Sequence, residues 1–137
     1  RGASCYCLRA GAPEAKLVGV DVNGWPMVWG TDEDLRWLDM ELFVGDSRIM
    51  CYAWRHPIHA IFVDGDHAES VVRADIRNWV LPHVAPGGFA SFHDAYYERQ
   101  SKDYQISLQV QAALEELGPG WIKREGAFSI WYFERER

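Results

Sequence analysis

Long apolar runs are absent. No stretch approaches the ~18 residues of a bilayer-spanning helix, so the sequence offers no membrane span. A basic excess is absent too. Lys and Arg total 14 against 20 Asp and Glu, a formal net charge of −6. Phosphate-rich partners demand concentrated cations, so neither nucleic acid nor an anionic membrane is expected as a partner. Cysteine is scarce: Cys5, Cys7 and Cys51 are odd in number and form no CxxC pair. That excludes a four-cysteine zinc site and argues against a disulfide framework. Reduced thiols and a cytoplasmic location are expected. Internal repeats and low-complexity tracts are missing, and the opening Arg-Gly-Ala-Ser shows no signal-peptide pattern. What is present is globular: 48% hydrophobic, 14% aromatic and 25% charged over 137 residues. That length suits a single domain.

Short apolar runs alternate with helical patterns. Leu17–Val20, Glu41–Val44, Ala60–Val63 and Phe89–Phe92 are too short for core helices, and a polar or glycine-containing turn follows each. They read as strands buried on both faces, as in a parallel sheet. Thr31 and Asp34 form a capping-box variant before Leu35–Leu38, and Ser47 to Trp54 suits a short helix. From His67 to Val80, residues Ala68, Val72, Ile76, Trp79 and Val80 share one helical face, while Glu69 and Arg73 pair on another. Pro82 and Pro86-Gly87-Gly88 end that pattern. A second stripe, Ile106, Val110, Ala113, Leu114 and Leu117, stops at Gly118-Pro119-Gly120. Trp121–Lys123 and Ala127–Phe133 flank Glu125-Gly126 and predict an antiparallel hairpin. The order predicts an α/β doubly wound sheet, mostly parallel, with an antiparallel edge.

Ligands of such sheets bind at the carboxyl ends of the strands. Asp21 stands there, suited to two ribose hydroxyls or to a simple turn. Gly45-Asp46-Ser47 can cap the next helix or meet an adenine edge. Asp64-Gly65-Asp66-His67 and His93-Asp94 are the informative ends. Asp64, His93 and Asp94 can hold a divalent cation; carboxylates suit Mg²⁺ or Mn²⁺, and the imidazole tilts toward softer ions. His67, with an ordinary pKa near 6.5, suits proton removal from a hydroxyl. The alternative is that Asp66 caps a helix and His93 is a hydrogen-bonded structural residue. His56, His59 and His83 have no such context and read as structural or exposed. Trp25 and Trp29 suit core or lid packing.

The run Ala60-Ile-Phe-Val-Asp-Gly-Asp-His67, a helix with Asp75 and Trp79, and Pro86-Gly-Gly-Phe-Ala-Ser-Phe-His-Asp94 resemble the class I S-adenosylmethionine-dependent methyltransferases. More narrowly they resemble a small O-methyltransferase-like group with DGDH and GG…HD strand ends. The opening Arg1–Leu8 resembles the tail of that family's glycine-rich motif, and Val18-Gly-Val-Asp21 its acidic second motif. The resemblance implies a Rossmann-like fold and methyl transfer from S-adenosylmethionine. It places Gly2 and Ser4 by the methionine part of the cofactor, Asp21 on the ribose, and Asp46 and Ser47 near the adenine. Asp64 falls between cofactor and metal. Where catechol-type relatives carry a catalytic Lys, His67 stands; where they carry Asp-Asn, His93-Asp94 stands. Both histidines are the catalytic candidates, and His67 or His93 serves as base without a metal.

The expected acceptor is a small-molecule or sugar hydroxyl. Tyr96, Tyr97 and the stretch to Tyr104 suit an acceptor wall, a lid anchor or a homo-oligomer contact. Competing readings are a glycosyltransferase using Asp64-Gly-Asp66 as a DxD metal site, a dehalogenase-type phosphatase, and a non-catalytic nucleoside-binding domain. Six strands are predicted where the family's fold has seven. The first, central strand is missing, so residues 1–137 are expected to be one methyltransferase-like domain lacking its N-terminal strand and leader helices. The complete domain would have roughly 180–220 residues.

Overall fold

The computed structural model describes residues 3–23, 38–124 and 128–137. The chain forms two compact units, Arg1–Met50 and Cys51–Arg137. The capping-box segment, Trp25, Trp29, Gly2 and the Glu125-Gly126 turn lie outside the described residues.

In the first unit, helix α1 (Ala3–Gly11) precedes β1 (Leu17–Asp21), β2 (Met40–Val44) and the single turn α2 (Ser47–Met50). β1 and β2 are parallel, in register from Leu17↔Met40 to Asp21↔Val44. Buried Arg9 ties α1 to the entry of β2. Its guanidinium donates to the carbonyls of Leu38 (2.8 Å), Asp39 (3.0 Å), Pro13 (2.6 Å) and Ala15 (3.0 Å). Among the described residues no carboxylate pairs with it, and carbonyl dipoles satisfy its donors instead.

The second unit runs β3 (Ile58–Val63), α3 (Glu69–Asp75), a π-helical turn (Ile76–Val80), the short α4 (Leu81–His83) and β4 (Val84–Phe92). Helix α5 (Tyr104–Leu114), β5 (Trp121–Arg124) and β6 (Trp131–Arg135) complete it. The sheet order is β3-β4-β6-β5, with β3 parallel to β4 and β6 antiparallel to both neighbours. Both helical stripes face its core: Val72, Ile76 and Val80 meet Val110, Ala113, Leu114 and Leu117 over Ala90, Phe92 and Phe133. Each Val, Ile, Leu or Phe among them contributes about 1.5–3 kcal/mol by leaving water. Arg73 and Arg77 clamp Glu116 in the turn just past α5, and Arg73 also takes Glu69 at 2.8 Å, the pair expected at i,i+4.

The α/β class, the parallel strands and the terminal antiparallel hairpin are as the sequence predicts. Several particulars differ. The strands form two sheets rather than one. Among the described residues no strand joins the two sheets. Among the described residues β1, β2 and β3 pair on one edge only and are not buried on both faces; β4 comes nearest to that. The helix expected from His67 starts at Glu69, because the Asp66 carboxylate accepts the Ala68 N–H at 2.9 Å and holds a turn there. It widens to a π turn before Pro82, whose ring crowds the carbonyl four residues back and which has no N–H to give. β4 begins at Val84, not Phe89, with a register break opposite Ile58–Ala60 that absorbs Pro86-Gly87-Gly88. β6 begins at Trp131 rather than Ala127.

Candidate active site

β3 and β4 run parallel, so the residues that follow Val63 and Phe92 emerge side by side. The junction is pinned by main-chain bonds. The His93 N–H donates to the Val63 carbonyl at 3.0 Å, and the Ala95 N–H to the Ser129 carbonyl at 2.8 Å. From α5, the Gln111 side-chain amide donates to the Ala95 carbonyl at 2.9 Å. Between these anchors Asp94 turns through the left-handed region at φ 55°. Asp tolerates that conformation better than most residues, and it aims the carboxylate back toward β3.

Four side chains converge. His93 Nδ1 lies 3.1 Å from Asp64 Oδ1 and 2.8 Å from Asp94 Oδ1. His67 Nε2 lies 2.9 Å from Asp94 Oδ2 and 3.9 Å from Asp64 Oδ1. Tyr97 donates its hydroxyl to Asp94 Oδ1 at 2.5 Å, and the carboxylate pushes the phenol pKa up. Asp94 is buried, its side chain 12% exposed, whereas Asp64 and both imidazoles remain about a third open. Solvent or a ligand can therefore reach the centre while Asp94 stays fixed.

The two imidazole nitrogens decide what this cluster suits. His67 Nε2 and His93 Nδ1 are buried atoms with no hydrogen-bond partner, despite oxygens within 3 Å. Nitrogens and oxygens that crowd together without donating to one another are placed as co-ligands would be. Donors on adjacent corners of an octahedron with ~2.1 Å bonds sit about 3 Å apart, which the 2.8, 2.9 and 3.1 Å separations match. One donor atom each from Asp64, His67 and His93 lies within 4.8 Å of the others. The residues present thus fit a divalent cation. Asp64 and His93 were expected in this role, with Asp94 touching both imidazoles. His67, expected as the base, joins the donor group.

Other expected residues are placed differently. Asp21 ends β1, exposed, and accepts the Asn23 N–H at 2.7 Å, while its carbonyl takes the Gly45 N–H. Asp46 is engaged by Arg48 through a side-chain ion pair and a main-chain bond, which hold its pKa at about 2. That is the helix-start role rather than a carboxylate open to an adenine. Ser4 lies in α1 and Ser47 opens α2. Tyr96 is 47% exposed and stacks on Trp131, ring centres 6.5 Å apart and planes 22° apart. The Lys123 ammonium sits over the Trp131 ring. Trp131 faces Phe92 across the ladder, at the same end of the sheet as His93. Sequence reasoning missed Trp131; hairpin register alone could have placed it there.

A family model described as a methyltransferase domain matches residues 1–95. The chain belongs to that family. The match crosses both compact units. Membership removes the glycosyltransferase and phosphatase readings of Asp64-Gly-Asp66, and Asp66 is in any case the turn-holding residue. Solved methyltransferases share the fold. The SAH-bound methyltransferase PaMTH1 of Podospora anserina is 12% identical over 99% of this chain and 68% of its own, with a TM-score of 0.66. The O-methyltransferase NovP is 16% identical over 98% of this chain and 66% of its own, TM-score 0.63. MycE of the mycinamycin biosynthetic pathway, solved with Mg, SAH and mycinamycin VI, is 15% identical over 98% of this chain, TM-score 0.57. The methyltransferase chain spans 48% of MycE. Among the described residues, no helix is long and apolar enough to cross a membrane.

Proposed function

We propose that the chain works as one domain, transferring a methyl group from S-adenosylmethionine to a hydroxyl of a small molecule, with a divalent cation at Asp64, His93 and Asp94. The observation that carries this is the convergence of those residues with His67, nitrogens unpartnered, at the carboxyl ends of β3 and β4. Family membership supplies the reaction type, and the fold likeness to MycE and NovP supports an oxygen acceptor.

The sulfonium methyl is already electrophilic. The acceptor oxygen attacks carbon in line, the C–S bond breaks, and its electron pair stays on sulfur as the neutral thioether. The protein's tasks are alignment and proton removal. His67, outside the proposed ligand set of Asp64, His93 and Asp94, takes the hydroxyl proton, and the negative charge of the neighbouring Asp94 carboxylate stabilises the imidazolium. Tyr97 holds Asp94 in place for this. A bound cation would supply Lewis acidity that lowers the hydroxyl pKa and orients it. The resemblance assigns Ser4, Asp21 and Ser47, with the Gly2 backbone, to the cofactor. Tyr96 and Trp131 offer a flat apolar surface to the acceptor.

Calorimetry with S-adenosylmethionine, with and without Mn²⁺ or chelator, tests the reading, followed by S-adenosylhomocysteine release against a panel of hydroxyl acceptors. Absence of cofactor binding by the full-length protein overturns it. Binding without release on any acceptor favours a non-catalytic nucleoside-binding role.

A further inference from the structure

The opposite end of the second unit's sheet carries a feature that methyl transfer does not use. A cleft of about 320 Å³ opens where β3 and β4 begin and β6 ends. Its polar lining is Arg55, His56, His83 and Arg135, with no carboxylate, in a chain whose acids outnumber its bases 20 to 14. Neither arginine has an ion-pair partner among the described residues. Arg55 donates Nη1 to the carbonyls of Tyr52 (2.6 Å) and Trp54 (2.7 Å). Arg135 donates Nη1 to the carbonyls of Leu81 and Val84. One nitrogen of each guanidinium is thus anchored, while Nε and Nη2 keep their donors and the charge is not neutralised. Beside them His56 is held by Trp54, whose indole N–H donates to the His56 carbonyl at 2.5 Å. The His83 pKa is pushed down by burial and by the Arg55 charge. Like charges gathered without a counterion are unfavourable unless an anion completes the set.

We propose that this cleft binds a phosphate monoester, its dianion between Arg55 and Arg135 and within reach of His56 and His83. Guanidinium forks match phosphate oxygens in pairs. The cleft falls at the small end of the ~300–1,000 Å³ typical of ligand sites, larger than a bare phosphate needs. Pro57, Pro82 and Pro86 form the rest of its wall. Proline rings without N–H groups suit a compact organic body rather than a second anion.

NMR titration of the full-length protein with glucose 6-phosphate, inorganic phosphate and glucose tests this. Saturable shifts confined to Arg55, His56, His83 and Arg135, with glucose 6-phosphate at least about tenfold tighter than inorganic phosphate and glucose silent, are the expected result. Arg55→Gln should weaken binding about tenfold or more while its unliganded unfolding transition stays put. Equal affinity for inorganic phosphate overturns the ester assignment. No saturable shift, or unchanged affinity in Arg55→Gln, overturns the site. Should that variant misfold, the wild-type shift map decides: shifts at His67 and His93 instead refute the proposal.

Discussion

Gly88 is where β4 crosses closest to β3, and Gly88→Ala measures how tightly that crossing holds the site. A Cβ at Gly88 would lie 2.8 Å from the His59 carbonyl oxygen, 2.9 Å from that of Ala85 and 3.1 Å from Val84 Cγ1. Ordinary contact begins near 3.4 Å, so the two oxygens must retreat by about 0.5–0.6 Å. Both belong to the main chain and cannot rotate away. The strands must part at the register break between Ile58 and Ala60, or β4 must shift along its axis. Overpacking of this kind costs about 1–3 kcal/mol, against a gain of about 0.4–1 kcal/mol from a stiffer unfolded chain. Taken at mid-range, the net loss is about 1–2 kcal/mol. For a unit of this size that lowers Tm by roughly 4–16 °C. Circular dichroism melts, with urea titrations to check the slope, provide the assay. His93 follows β4 by one residue, so Mn²⁺ affinity should fall in the same variant. A Tm equal to or above wild type would refute the claim that backbone contact is what requires glycine there.

Three further outcomes follow from the site and its support. His67→Ala should cut turnover by about 10²–10⁴-fold while S-adenosylmethionine affinity, read by calorimetry, holds; an unchanged rate returns His67 to a purely ligating or helix-start role. Asp94→Asn keeps a side chain that tolerates φ 55° but removes the charge, so Mn²⁺ affinity should drop about 10–100-fold with little change in Tm. Affinity equal to wild type would remove Asp94 from the metal assignment. Glu116 is held below its ordinary value of 4.5 by hydrogen bonds from Arg77 and Arg73, with burial opposing. Its folded pKa is the lower one, so its contribution is complete above 4.5 and is lost as pH falls through the folded value. Glu116→Gln should therefore lower Tm at neutral pH, with the gap to wild type closing in acid; a gap independent of pH argues that packing, not charge, is at work.

Element identity was legible because apolar period and turn chemistry agree. Val72, Ile76 and Val80 are buried on one face as their spacing dictates, and Asp64 and His93 sit at strand ends because the runs before them are short and apolar. Boundaries were less legible. The start of β4 hides behind Pro86-Gly87-Gly88, which reads as a stop until a neighbouring carbonyl is seen to require the glycine. The fate of Asp46 was equally hidden: the sequence shows a capping residue, but not that Arg48 two positions on would close over it. The paired arginines of the amino-end cleft, 80 positions apart, could not be joined without the sheet order that brings Arg135 beside Val84.

The π turn at Ile76–Val80 has a consequence for how this chain is compared with others. Its closing bond runs from the Leu81 N–H to the Ile76 carbonyl, a span of five residues where an α turn spans four. The segment therefore carries one residue more than a plain helix of equal rise. Any relative that crosses here in unbroken α-helix is one position shorter. A gapless alignment through residues 76–80 would then misassign every side chain on one side by about 100° of helical rotation, pairing core positions with surface ones. Placing the gap inside this turn restores the phase, and it also fixes which residue of each relative answers to Trp79.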